Sequence, residues 1–448
     1  MNLKRSAWRY LWTSEDIRKK LLITLGLLIL YRLAANIPVP GLDRNILGQL
    51  ATLPGAGGTI INLLDMLSGG TITNFSILAM GVYPYITAQI ILQLLVPIIP
   101  ALERRMKVNP TEGQKWMERW TVILTVPMAL LSAVGQVNIF SSLLNQPVTS
   151  VIRGYGEFLP TATALVTMIG GTMFGIWLGQ LISEYGIPNQ GLSLIIFAGI
   201  VARMPSHLGS ILSDAVNGWW ILIVILVILV LTIFAIVFVQ QGRRNVPVLF
   251  PGRRIGNRMS MPVRSNLPLM VNMAGMIPLI FAQSILTFPA IIASFFVKST
   301  TTWVANLATG IQQTFGGQNL WYALFYFLMV VAFTFFYTDV LFTQQNYGDN
   351  LKKQGAQIPG VVRGLPTQKY LNKVQRRITL PGALFLGIVA VLPYLIGIVL
   401  PSSVGRSSGL LLISAAGLLI VVGVVRDTFT IIETELKLHG YEESLIKG

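Results

Sequence analysis

Cysteine is absent from this 448-residue chain, and histidine occurs only twice, as His207 and His439. The first absence excludes disulfides and thiolate metal centres. Together they leave too few ligands for a zinc site, so no metal or other cofactor is expected. Charge is scarce as well. Asp, Glu, Lys and Arg make up 11% of the chain, about half the usual share for a soluble protein. Also missing are a nucleotide-binding glycine loop, an HExxH pair and a serine set beside a base. The chain is therefore expected not to be an enzyme, with no catalytic residue to name.

What is present is apolar. Hydrophobic residues make up 53% of the chain, and the mean hydropathy is +0.67. They fall into blocks of about 20, the length that spans a bilayer as a helix. The runs lie at roughly 18–37, 75–100, 117–139, 161–184, 190–208, 218–239, 266–296, 320–343, 378–400 and 409–431. The fifth is short, and the seventh is interrupted by Pro268, Pro278 and Pro289. The expected fold is an all-α polytopic membrane protein with about ten transmembrane helices. The opening MNLKRSAWRY is basic, and no small-residue cleavage site follows the first run, which is therefore expected to remain as a helix.

An even number of spans puts both termini on one side, and charge says which. Of the 33 Lys and Arg, 24 fall before the first run, between the second and third, in 240–265 and in 344–377. The other face has only Arg44, Arg153, Arg203, Lys298 and Arg406. By the positive-inside rule both termini and the basic connections are cytoplasmic.

Charges at membrane depth are few: Arg32, Asp339, Arg426 and Asp427. Each sits within about two turns of a helix end, where an interfacial anchor or a local ion pair accounts for it. The stretch Pro54–Asn74 is more unusual. Its apolar turn Ile60–Leu67 is bounded by Gly57–Gly58 and Gly69–Gly70 and is too short to span a bilayer. It either folds back into a protein-lined cavity or forms an ordinary outer loop with a buried turn.

Five segments carry a family likeness. They are LLDMLSGGTITNFSILAMGVYPYITAQIILQLL, GIPNQGLSLIIFAGIVARMP, LPLMVNMAGMIPLIFAQSILTFPA, DNLKKQGAQIPG and KVQRRITLPGAL. In this order the chain resembles the SecY family of protein-conducting channels over residues about 17 to 436. The resemblance implies a clamshell of two inverted five-helix halves, 1–208 and 209–448, with a short re-entrant plug helix at about 54–74. It implies the central channel of a bacterial Sec translocase, which passes unfolded secretory polypeptides and releases hydrophobic segments sideways into lipid. The alternative is a secondary transporter built on inverted repeats, which would need charge near the midplane.

Site residues follow from the resemblance. The pore ring would be Val82 and Ile86 on the second span, Ile196 and Ile200 on the fifth, Ile280 on the seventh and Ile420 on the tenth. Two i, i+4 pairs within this set each share one helix face. The plug would be Ile60, Ile61, Leu63, Leu64, Met66 and Leu67. Gln93 and Asn272 would hydrogen-bond across a side gate between spans 2/3 and 7/8, unless each merely bonds a neighbouring carbonyl. Many bacterial relatives add a glutamine on the third span, where this chain has Ala129.

The cytoplasmic 6/7 loop (240–265) and 8/9 loop (344–377) would dock partners through Arg243, Arg244, Arg253, Arg254, Arg258, Lys352, Lys353 and Arg363. Topology alone also explains such charge. Arg363 falls one position later than the family pattern. The implied partners are the membrane subunits SecE and SecG, the SecA ATPase, the ribosome, signal peptides and unfolded secretory or membrane proteins, and the lipid bilayer. The host membrane is expected to be the bacterial plasma membrane, with the thylakoid as the other possibility.

Overall fold

The computed structural model describes residues 15–40, 76–108, 110–143, 158–212, 218–251, 254–255, 258–259, 263–296, 301–315, 320–399 and 415–438. The helices begin with α1 Glu15–Ala34, α2 Tyr83–Ile98, α3 Pro100–Val108, α4 Pro110–Leu143, α5 Phe158–Tyr185, α6 Gly191–Leu212 and α7 Gly218–Gln241. Four strands follow: β1 Arg243–Phe250, β2 Arg254–Ile255, β3 Arg258–Met259 and β4 Val263–Met270. The chain continues with α8 Ile277–Phe296, α9 Thr302–Phe315, α10 Leu320–Gln344, α11 Tyr347–Lys353, α12 Leu365–Val399 and α13 Ala415–Leu438.

Each apolar run has its helix: α1, α2, α4, α5, α6, α7, α8, α10, α12 and α13. Among the described residues, Thr111–Val137, Phe158–Tyr185, Leu320–Lys353 and Leu365–Leu392 are each long and apolar enough to cross a membrane. The pair Tyr83–Val96 and Pro100–Met106 passes the same test when taken together and is bent by 93° between its halves. Proline explains the bend. The residue before a proline is pushed out of helical geometry, and Ile99 is extended (φ −99°, ψ 107°) just before Pro100.

The surface has the character of a membrane protein. On α7, Leu226, Val230, Leu231, Phe234 and Phe238 are all exposed. An apolar patch of that extent in water would mark an interface or an aggregation site; here it faces hydrocarbon. Threonine hydroxyls in these helices donate to the carbonyl four residues back, as at Thr121, Thr125, Thr232 and Thr334. These four hydroxyls are thus satisfied without water.

Packing runs through α6 and α8. Helix α6 touches α1, α5, α7 and α13, while α8 touches α2, α4, α9 and α10. Glycine permits one unusually close approach. A Cβ at Gly171 on α5 would sit 1.9 Å from the Ile77 carbonyl oxygen, so the helix lies directly against the turn that leads into α2.

The seventh run, expected to be helical over 266–296, divides into strand and helix. Residues 263–270 pair antiparallel with 243–250, Arg243 opposite Met270 and Phe250 opposite Val263. Val246, Val248 and Leu269 turn inward, the alternation of a strand. Pro247 and Pro268 are tolerated because a two-stranded ribbon is all edge. The helix starts only at Ile277, after a turn in which Gly275 takes φ +64°. Helix α12 also begins earlier than the expected 378. Its 35 residues would extend about 52 Å, well beyond the bilayer core, so its first turns project from it. Helix α9, between α8 and α10, has no counterpart among the expected runs.

Candidate functional site: pore ring and side gate

The six ring residues meet in one apolar cluster. Val82, Ile196, Ile200, Ile280 and Ile420 are all buried there, and the half-buried Ile86 packs against them. Val82 is not on a helix, contrary to the sequence reading. It caps α2 at the end of a turn over 77–82 in which Gly81 takes φ +53°. Its carbonyl accepts a hydrogen bond from the Ile86 amide at 3.1 Å, which keeps the two residues one turn apart. Ile196 and Ile200 repeat that spacing on α6. Aliphatic side chains from α6, α8, α13 and the start of α2 are thus packed in one buried apolar cluster.

Beside the ring, α2 meets α8 and α10 in a second cluster. Ile90, Ala274, Phe281 and Tyr337 are buried in it, with Ile86, Leu94, Ile277, Phe333 and Leu341 around them. Phe281 makes edge-on contacts with Phe333 at 6.1 Å and Tyr337 at 5.6 Å between ring centroids. Two polar pairs face each other across this seam, Gln93 with Tyr337 and Tyr83 with Ser284, while Gln93 Oε1 is buried without a hydrogen-bond partner and the Ser284 hydroxyl donates to the Ile280 carbonyl at 2.7 Å.

The expected Gln93–Asn272 pairing is not what holds it. Asn272 is buried, and its Nδ2 donates to the Gly275 carbonyl at 3.1 Å, closing the turn before α8. Ala129 is buried on α4 and supplies no polar group. Tyr337 and Ser284 escaped the sequence reading because each lies in a run of aromatic or small residues without a distinguishing spacing.

The charges at membrane depth are held internally. Arg376 meets Asp339 through two bonds, at 3.2 and 2.7 Å, and Arg426 meets Asp427 at 2.7 Å. Lys20 pairs with Glu435. Arg32 donates to the carbonyls of Ala198 at 2.6 Å and Gly199 at 2.7 Å.

On the side with the basic connections, the hairpin and the 8/9 segment form one unit. Leu249 and Gln357 exchange backbone hydrogen bonds at 2.8 and 2.9 Å. Val246, Val248 and Leu269 pack with Phe342, Leu351, Ile358 and Leu371 beneath them. Arg243, Arg244, Lys352, Lys353 and Arg363 are exposed on this unit, with Val362 and Leu365 exposed beside Arg363. Arg254 and Arg258 lie in the short β2–β3 pairing. Arg253 and the plug residues Ile60, Ile61, Leu63, Leu64, Met66 and Leu67 lie outside the described residues.

With this geometry in place, comparison with known proteins is specific. The family model SecY matches residues 76–429. The protein translocase subunit SecY of Streptomyces scabiei is 36% identical over 442 residues, covering 98% of this chain and 99% of the relative. A solved structure described as that of a protein conducting channel superposes with a TM-score of 0.63 at 17% identity, covering 99% of this chain and all of that one. Sec61 in the canine ribosome-channel complex from the endoplasmic reticulum gives 0.59 at 17% identity, with the same coverage.

Proposed function

This chain belongs to the SecY family, and we propose that its pore closes at the ring of Val82, Ile86, Ile196, Ile200, Ile280 and Ile420. The chain is a multi-pass membrane protein and the channel subunit of a protein translocase. It passes unfolded polypeptides across the membrane and releases hydrophobic segments sideways into lipid. The observation that carries the ring reading is the burial of these side chains, drawn from four separate segments, in one uncharged cluster.

The seam of α2 against α8 and α10 is the side gate in this reading. Its facing polar pairs are Gln93–Tyr337 and Tyr83–Ser284, and hydrogen bonds between membrane helices are weak enough for an apolar signal segment to displace. The turn Ile60–Leu67 is the plug, and the halves 1–208 and 209–448 are the two shells. The basic unit of hairpin and 8/9 segment docks the ribosome and the SecA ATPase, with Arg363 at its tip. SecE and SecG complete the complex in the bacterial plasma membrane, with both termini cytoplasmic. Energy comes from these partners, and the chain itself carries no catalytic site. A secondary transporter fits less well, because Arg32, Asp339, Arg426 and Asp427 are engaged internally rather than turned to a solute.

The test is reconstitution. Vesicles holding this chain with its small subunits, SecA and ATP should protect a secretory precursor from added protease. A precursor that stays fully digestible in active, sealed vesicles would refute the reading.

A further inference from the structure

Arg32, a charge at membrane depth, donates to the backbone of a neighbouring helix. It lies in the last turn of α1, and its Nη2 donates to two successive carbonyls of α6, Ala198 at 2.6 Å and Gly199 at 2.7 Å. A helical carbonyl has a second lone pair after its own ladder bond, so the guanidinium adds to the helix without breaking it. These two carbonyls sit between Ile196 and Ile200, the ring residues of α6.

Such a placement is costly. An arginine inside a membrane helix is disfavoured by about 2.5–3.5 kcal/mol even on the mildest scale, and it ordinarily snorkels to the interface. Here it turns inward, while Tyr31, Ala34 and Ala35 beside it are buried in the same cluster as the ring.

Helix α6 also needs an external hold. Pro205 lies inside it, and a proline removes the bond to the carbonyl four residues back, here that of Val201. Gly199 further lowers the stiffness of the same turn. The segment carrying Ile196 and Ile200 is therefore followed directly by a helix able to bend or rotate. One nitrogen donating to two successive carbonyls, which are placed about 100° apart around the axis, opposes that rotation.

We propose that Arg32 is a positioning residue for the pore ring. By clamping the α6 backbone at Ala198 and Gly199 it sets the rotation of that helix and keeps Ile196 and Ile200 in the constriction. The inference rests on the ring reading above. Lysine, a compact charge with no planar fork, would reproduce the clamp only in part.

The experiment measures ion leak per inserted channel in the full complex, idle, in liposomes. It compares wild type, Arg32→Gln, Arg32→Lys, Ile200→Asn and the double variant Arg32→Gln/Ile200→Asn. Loss of two charge-assisted bonds should raise the leak of Arg32→Gln about tenfold or more. Arg32→Lys should fall between Arg32→Gln and wild type. The double variant should leak no more than Ile200→Asn, because both act on one constriction. Wild-type leak from Arg32→Gln beside a leaking Ile200→Asn overturns the proposal and leaves the ring standing. Multiplying effects in the double variant overturn it as well, since they would mark Arg32 as a general stabiliser. If Ile200→Asn itself stays tight, the ring reading falls and this inference with it.

Discussion

Gln93 on α2 and Tyr337 on α10 face each other across the seam beside the ring cluster. The same tyrosine packs edge-on against Phe281 of α8, so one residue touches each helix of the proposed side gate. Tyr337→Phe removes the hydroxyl and keeps the ring. Interhelical hydrogen bonds in membranes are worth about 0.6–1.7 kcal/mol, so loss of such a contact should ease gate opening by roughly 3- to 18-fold. The readout is export of a precursor with a weakened signal sequence, which should rise. Asn272→Ala, which breaks only the bond to Gly275, should change it less. Equal effects from the two would place the gate contact elsewhere.

Much of this architecture was legible in the chain because its governing signals are coarse. Apolar blocks of bilayer length mark the spans, and the one-sided placement of arginine and lysine orders the connections. The hairpin was less visible. Its strands are eight residues each, both contain proline, and only the inward Val246, Val248 and Leu269 betray the alternation. Helix α9 has no charge within it and is too short to read as a span. Partners across the seam were not readable at all. Whether Gln93 meets Asn272 or Tyr337 depends on how each helix is rotated about its axis, which periodicity leaves open.

Adjacent glycines on α5 give a sharp contrast. A Cβ at Gly171 would meet the Ile77 carbonyl at 1.9 Å, whereas one at Gly170 meets nothing within 4 Å. Gly171→Ala must push α5 from the turn that leads to Val82. Forced overpacking of this kind typically costs about 1–3 kcal/mol. Thermal unfolding of the purified complex should therefore show a lowered Tm for Gly171→Ala and a wild-type value for Gly170→Ala. Matching Tm values would mean that the close approach does not matter to stability.

On the basic unit of hairpin and 8/9 segment, Arg363 is exposed between exposed Val362 and the start of α12. Arg363→Glu reverses charge at the proposed docking tip and leaves the many other basic residues to maintain topology. SecA-driven transport should fall severalfold while the amount of inserted chain stays constant. If Arg363→Glu transports normally and reversal of Lys352 and Lys353 abolishes transport, the tip assignment moves to those lysines.

The bridge between Leu249 and Gln357 tests whether the two loops act together. Leu249→Pro removes the amide that donates to Gln357 at 2.8 Å, a loss of about 1 kcal/mol. Loosening the hairpin from the 8/9 segment should weaken ribosome binding in a sedimentation assay without altering the ring or idle leak. Unchanged binding would mean that the two loops dock independently.

The central claim is that six side chains form one dry constriction, and ion leak through idle channels tests it most directly. Ile200 is buried in that cluster, while Leu231 on α7 is 62% exposed and faces lipid. Asparagine at Ile200 removes a buried aliphatic contact, worth about 2–5 kcal/mol when truncated, and gives water a bridge across the ring. The account predicts a marked leak per inserted channel from Ile200→Asn and none above wild type from Leu231→Asn. Equal leak from the two variants, or none from Ile200→Asn, would contradict it.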